Sequence, residues 1–193
     1  MAGETGVGAE LYRLNLSTHN SEYFDIASGA TGSYPAGLQV FNNKLYFTAT
    51  EDGMNAYLYR LVPNGDDTPV IEKVSATSGM PNVSDLVLVA NDMYFTTQSP
   101  PGVQSALYCL NPDETLVEIK TATGTPIFKE GLTSTPALLA TGDTLYFAYD
   151  VAETNEFYGY KATCATNGAL PVNQEPPGWD EIPMESIYFN YSD

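Results

Sequence analysis

Short apolar phrases separated by polar turns run the length of this chain, and two of them recur. Leu45-Tyr46-Phe47 returns as Met93-Tyr94-Phe95, Leu145-Tyr146-Phe147 and Ile187-Tyr188-Phe189. Between them runs a second series, Leu11-Tyr12-Arg13-Leu14, Leu58-Tyr59-Arg60-Leu61, Leu107-Tyr108-Cys109-Leu110 and Phe157-Tyr158-Gly159-Tyr160. Both series step by about fifty residues, and neither carries a helical period; strand-sized phrases at that spacing are the mark of a radial β-repeat.

Aligned on the first phrase, the units predict their own strands. Gly37–Phe41 and Leu45–Thr50 flank Asn42-Asn43, Asp85–Val89 and Met93–Thr97 flank Asn91-Asp92, and Ala137–Ala140 and Leu145–Tyr149 flank Gly142-Asp143. Asn, Asp and Gly tolerate the positive φ of a two-residue hairpin turn, so each unit opens with a hairpin, strands a and b. The second phrase supplies strand c. Strand d follows at Glu22–Ala27, Val70–Ser75 and Thr115–Lys120, after turns such as Asn64-Gly65-Asp66-Asp67 and Asn111-Pro112-Asp113-Glu114. Loops rich in Gly, Ser, Thr and Pro lead to the next unit at Gly29–Pro35, Thr77–Val83 and Thr121–Pro136. Leu86-Val87-Leu88-Val89 and Leu45-Tyr46-Phe47 lack a polar/apolar alternation, as expected of strands covered on both faces.

The chain begins at strands c and d of a unit and ends, at Ile182–Met184 and Ile187–Tyr191, with strands a and b. Joined in space, the two ends complete one sheet. The expected architecture is therefore all-β: a single domain over 1–193, a four-bladed β-propeller with four antiparallel strands per blade. Its blades would span about 37–76, 85–121, 137–173, and a shared blade of 180–193 with 8–28. Strands from both termini would close the ring and remove its open edge.

Composition narrows the partners. The net charge is −17, from 24 acids against 7 bases. Such a chain repels phosphate backbones and anionic lipid surfaces, so neither a nucleic acid nor a membrane is an expected partner. No apolar run is long enough to span a bilayer. The acids are scattered, which reads as a solvated surface; divalent cations and basic partners remain the other uses of such charge. Cys109 and Cys164 have no zinc spacing, and the single histidine, His19, cannot complete a metal set with them. They fall on neighbouring units, so a disulfide and a pair of buried free thiols are both open. Met1–Gly6 has neither a basic start nor an apolar core, so no leader peptide is legible there.

The unit from Gly8 to Asp52 resembles a known bacterial repeat. Gly8-Ala9-Glu10-Leu11-Tyr12-Arg13-Leu14 is similar to its Glu-Leu-Trp/Tyr phrase. Asp25-Ile26, Gly32-Ser33-Tyr34-Pro35 and Val40-Phe41-Asn42-Asn43-Lys44-Leu45-Tyr46-Phe47-Thr48-Ala49 follow its remainder. The family is the ELWxxDGTxxGT repeat of exported bacterial β-propeller-like proteins. The resemblance implies a propeller outside the cell or at its surface, with a cytoplasmic location as the alternative, and implies no activity.

No nucleophile elbow, phosphate-cradling loop or H-E-x-x-H motif is present in the sequence. The expected function is non-catalytic binding or adhesion by a monomer, at a face where the loops between strands b and c meet those between d and the next a. Those loops carry Glu51, Asp52, Asp150, Tyr34, Trp179 and Asp180. Aromatic rings beside carboxylates suit a glycan or a protein surface, and oxygen-rich loops suit Ca²⁺; no cofactor is expected. The alternative is a glycoside hydrolase or lyase that uses a carboxylate pair on the same scaffold.

Overall fold

The computed structural model describes residues 8–64, 69–97, 105–120, 128, 137–151, 154–161 and 164. The fold is all-β. Among the described residues, four antiparallel sheets follow one another along the chain, each with its strands in chain order. Sheet one pairs β1 (Leu11–Leu14) with β2 (Ser21–Phe24). Sheet two comprises β3 (Ala36–Phe41), β4 (Lys44–Thr50), β5 (Ala56–Val62) and β6 (Val70–Lys73) in that order. After a 3₁₀ turn at Ser75–Thr77, sheet three repeats the pattern with β7 (Val83–Val89), β8 (Asp92–Thr97), β9 (Ala106–Leu110) and β10 (Leu116–Ile119). Sheet four has β11 (Ala137–Thr141), β12 (Thr144–Val151) and β13 (Thr154–Lys161). The expected strands 182–184 and 187–191 lie outside the described residues, as does most of the end of the third expected blade after residue 161.

The hairpin turns follow the expected chemistry, with one shift. Asn42 and Asn43 both take positive φ, 47° and 58°, and Gly142 opens its turn at 60°. The second hairpin turns at Ala90-Asn91, not at Asn91-Asp92. Asp92 joins β8 opposite Val89, and Ala90 takes φ 53°. Pairing Leu88 with Met93 and Val87 with Tyr94 fixes the turn one residue early. Keeping those side chains in phase outweighs the roughly 1–2 kcal/mol that a left-handed alanine costs.

Both complete meanders carry a β-bulge at the same place. The register breaks between Ala36 and Gln39 in β3 and between Ser84 and Val87 in β7. Gly37 (φ 62°) and Asp85 (φ 54°) are the left-handed residues. A bulge leaves ladder groups unpaired, and here the neighbouring sheet supplies a partner: Gln39 Nε2 donates to the Leu86 carbonyl at 3.2 Å.

Each sheet meets the next face to face, and the first phrase works both seams. In β4, Leu45 and Phe47 face back toward sheet one, packing with Leu11, Phe24 and Tyr59. Tyr46 faces forward, with Leu58 and Phe41, onto Val83, Leu86, Met93 and Phe95 of sheet three. In β8 the pattern repeats: Met93 and Phe95 face back, and Tyr94 faces forward onto a cluster with Leu145, Leu138 and Phe128. Tyr46, Phe47, Tyr94 and Phe95 are fully buried, which is why these strands show no alternation. The seam between sheets two and three also carries charge. Glu114, on the β9–β10 turn, accepts from Lys44 Nζ at 2.6 Å and pairs with Arg60, which also pairs with Glu72. Asn42 Nδ2 donates to the Pro112 carbonyl at 2.7 Å beside it.

The cysteines are bonded. Cys109 on β9 and Cys164 just past β13 form a disulfide with Cα atoms 5.9 Å apart, so of the two states the sequence leaves open the cysteines take the cross-link, which ties sheet three to the segment after β13. Asp92 lies against it, and burial pushes that carboxyl above its ordinary range. These three form a cluster of metal-ligating residue types, but both sulfurs are used in the bond.

Candidate ligand-binding face

One end of sheets one and two is built from loop 29–35 and the β4–β5 loop 51–55. The two loops come together as their strand polarity requires. Thr50 N donates to the Ser33 carbonyl at 2.8 Å, and a Cβ on Gly53 would lie 3.7 Å from Thr31 Cγ2.

Loop 29–35 is fastened from below by Glu10. This buried carboxylate accepts from Ser33 Oγ at 2.5 Å, Ser33 N at 3.1 Å and Ile26 N at 3.2 Å. Unpaired, such a carboxylate would be costly to bury; with three donors it becomes a clamp. Tyr34 N donates to the Ala9 carbonyl at 3.0 Å. The segments pass so closely that a Cβ on Gly8 would stand 2.2 Å from Gly32 N, so neither chain has room for a side chain there. Tyr34 itself takes φ 47°, and its side chain is left 66% exposed. A fixed backbone thus carries an outward aromatic ring.

The neighbouring loop is organised by Asp52. Its Oδ1 accepts from Met54 N at 2.8 Å, Asn55 N at 2.9 Å and Thr50 Oγ1 at 2.9 Å, and its Oδ2 accepts from Asn55 Nδ2 at 3.1 Å. The backbone N–H groups of Asn55 and Met54 hold this carboxyl well below the usual range. Asp52 therefore shapes the loop, and what the loop presents is Met54, 78% exposed. Glu51 accepts from the Tyr59 hydroxyl at 2.6 Å and meets Lys73 Nζ at 3.4 Å. The Tyr59 bond, helped by Lys73, lowers its pKa, while burial and that same bond raise the Tyr59 phenol. Lys73 in turn lies over the Tyr57 ring, 3.5 Å from its centroid.

The structure thus brings Tyr34, Glu51 and Asp52 to one end of the molecule. Asp150 is a strand residue, not a loop residue: it lies on β12 opposite Asn155 of β13, and the ladder runs on to Val151 opposite Thr154. Trp179 and Asp180 lie outside the described residues. His19 occupies the β1–β2 turn at φ 58°, its N–H donating to the Asn15 carbonyl at 2.8 Å. Sequence reasoning passed over Glu10, Ser33 and Met54 as members of this face. A lone acid directly before an apolar strand phrase, as in Ala9-Glu10-Leu11, is the signal that would have marked Glu10.

Comparison with protein-family models and with curated proteins finds no match to this chain. Among the described residues, no helix is long and apolar enough to cross a membrane.

Proposed function

We propose that this protein is a four-bladed ring of the ELWxxDGTxxGT type that serves as a non-catalytic binding or adhesion module for a glycan. The carrying observation is Tyr34, a solvent-facing ring on a backbone pinned by Glu10, Ala9 and Thr50. A ring held in place loses little freedom when a sugar face stacks on it, and the Glu51 carboxylate on the adjoining loop keeps lone pairs for hydroxyls. The adjacent acids Glu51 and Asp52 are both held below the ordinary carboxylate range. That keeps both ionised, whereas the hydrolase reading needs one raised to act as a general acid. The disulfide favours an exported or surface location, where oxidising conditions maintain it.

The ring itself is supported by where apolar surface is left. Tyr12 and Leu14 are exposed on the backward face of sheet one, and Leu139 is 66% exposed on the forward face of sheet four. Leu38 and Val40 are exposed on the backward face of β3, opposite the place where sheet one would carry inner strands. A hairpin of residues 182–191 added beside β1 would cover Leu38 and Val40, and closing the ring would set Tyr12 and Leu14 against Leu139.

A glycan array followed by calorimetry with and without Ca²⁺ tests the function. Tyr34→Ala is expected to weaken binding at least tenfold with an unchanged melting temperature, and Glu51→Gln is expected to weaken it by less. A hydrolase screen in which one acid-to-amide change abolishes turnover would overturn the binding reading. Deleting 185–193 without lowering the melting temperature would overturn the ring.

A further inference from the structure

The repeat uses the same two positions to tie its sheets forward. Lys44 opens β4 two residues before Tyr46, and Arg60 stands opposite Tyr46 on the ladder. Asp92 opens β8 two residues before Tyr94, and Cys109 stands opposite Tyr94. Residues two apart on a strand share a face, and so do opposed ladder partners, so each pair leaves its sheet on the forward side. At the seam between sheets two and three, Lys44 and Arg60 meet one group, the Glu114 carboxylate. Beyond sheet three, Asp92 and Cys109 likewise meet one residue, Cys164.

This second tie is held twice. The Asp92 carboxylate accepts from the Cys164 N–H, while the Cys164 sulfur is bonded to Cys109. Asp92 is thus fastened to the Cys164 backbone by a contact that does not need the disulfide. A carboxylate oxygen and the two sulfurs lie within 4.8 Å of one another. Cys109 is fully buried among Val89, Tyr94, Leu107 and Leu145, whereas Asp92 and Cys164 are half-buried and give access from solvent.

We propose that, once a dithiol has reduced the bridge, Asp92, Cys109 and Cys164 form a three-ligand site for a thiophilic divalent cation of the Zn²⁺ class, which ties the seam in the bridge's place. The dithiol gives up two electrons and two protons and closes to a disulfide of its own. The Cys109–Cys164 bond breaks, and each sulfur takes one electron and one proton. Binding of the ion displaces both protons to water, because thiolates are the ligands. A tetrahedral ion with metal–sulfur bonds of about 2.3 Å sets its two sulfurs about 3.8 Å apart. Cα atoms 5.9 Å apart allow that spread through side-chain rotation. The Cys164 N–H keeps the third ligand aimed at the sulfurs, as outer-shell donors do, and water takes the fourth position. Two thiolates select Zn²⁺ over the hard ions Ca²⁺ and Mg²⁺. The cysteines are 55 positions apart, so no ligand spacing announces this set; the seam assembles it.

Protein reduced with dithiothreitol, desalted under nitrogen and titrated with Co²⁺ tests this. One Co²⁺ per chain is expected to bind with a thiolate-to-cobalt charge-transfer band, and Zn²⁺ should displace it. Zn²⁺ should raise the melting temperature of the reduced protein saturably and leave that of the oxidised protein unmoved. Asp92→Asn should keep the band but weaken Co²⁺ binding at least roughly tenfold, since loss of even an outer-shell partner costs that much. No shift with Zn²⁺ would overturn the site, and so would a fall, which marks binding to the thiols of the unfolded chain. An equal rise in the oxidised protein would place the ion among the surface acids and overturn it as well. Equal Co²⁺ affinity in Asp92→Asn would remove the carboxylate and with it the three-ligand assignment. Should the reduced chain unfold, Zn²⁺ is expected to restore its far-ultraviolet strand signal; a chain that stays unfolded with Zn²⁺ present overturns the proposal.

Discussion

Lys44 and Glu114 stand 70 positions apart in the chain and meet at 2.6 Å across the seam between sheets two and three. Arg60 joins the same carboxylate, so one acid on a turn takes two cations from the preceding sheet. The Lys44 bond, with Arg60 assisting, holds Glu114 below its ordinary value of 4.5.

Glu114→Gln should therefore cost about 1 kcal/mol at neutral pH, the scale of a half-exposed ion network. The sign follows from the lowered pKa. The contribution is full above the unfolded carboxyl's range near 4.5 and is lost as pH falls through the lower folded value. Wild type and variant should converge in acid, and high salt should narrow their gap at pH 7. Urea unfolding across pH checks both; a gap independent of pH would contradict the assignment.

Phe95 is buried at the rear of β8, against Met93, Leu86 and the forward face of sheet two. Phe95→Ala should cost roughly 3–5 kcal/mol, as aromatic deletions from packed cores do. A denaturation series giving less than about 1 kcal/mol would mean that β8 is out of phase by one residue.

The Cys109–Cys164 bridge closes a span of 55 residues. In the chain-entropy account such a loop contributes at most roughly 4 kcal/mol. Dithiothreitol, or Cys164→Ser, should lower the melting temperature by roughly 8–16 °C if the full amount is realised. Calorimetry with and without reductant reads this directly, and equal transitions would show that the bridge adds nothing to stability.

Asp52→Ala removes the acceptor for the Met54 and Asn55 amides. Hydrogen exchange at those two amides should speed by about an order of magnitude while the global transition stays put, because only a local loop is released. Asp52→Asn keeps an acceptor and should speed them less.

Much of the sheet architecture could be read from the chain, because strand b is apolar on both faces and the turns carry Asn and Gly. Leu45-Tyr46-Phe47 marks β4 and its two seams without any structure. The missed turn at Ala90 was illegible because alanine carries no turn signal, and register alone put it there. The bulges were equally hidden: Gly37 invites one, but Asp85 does the same work with no glycine. At the candidate face, the sequence marked the charged residues but not their purpose. Asp52 and Glu10 look like surface acids until the donors around them are seen. The cross-link was open because spacing alone does not bring two sulfurs together.

The back-facing phenylalanine and the front-facing tyrosine make the two sides of a sheet complementary rather than alike. Such a unit docks on a copy of itself in one direction only, and does so without a new interface. Tandem duplication of the coding segment could then lengthen the array one sheet at a time. Divergence could proceed seam by seam, since a substitution at Phe95 concerns the sheet behind and one at Tyr94 the sheet ahead.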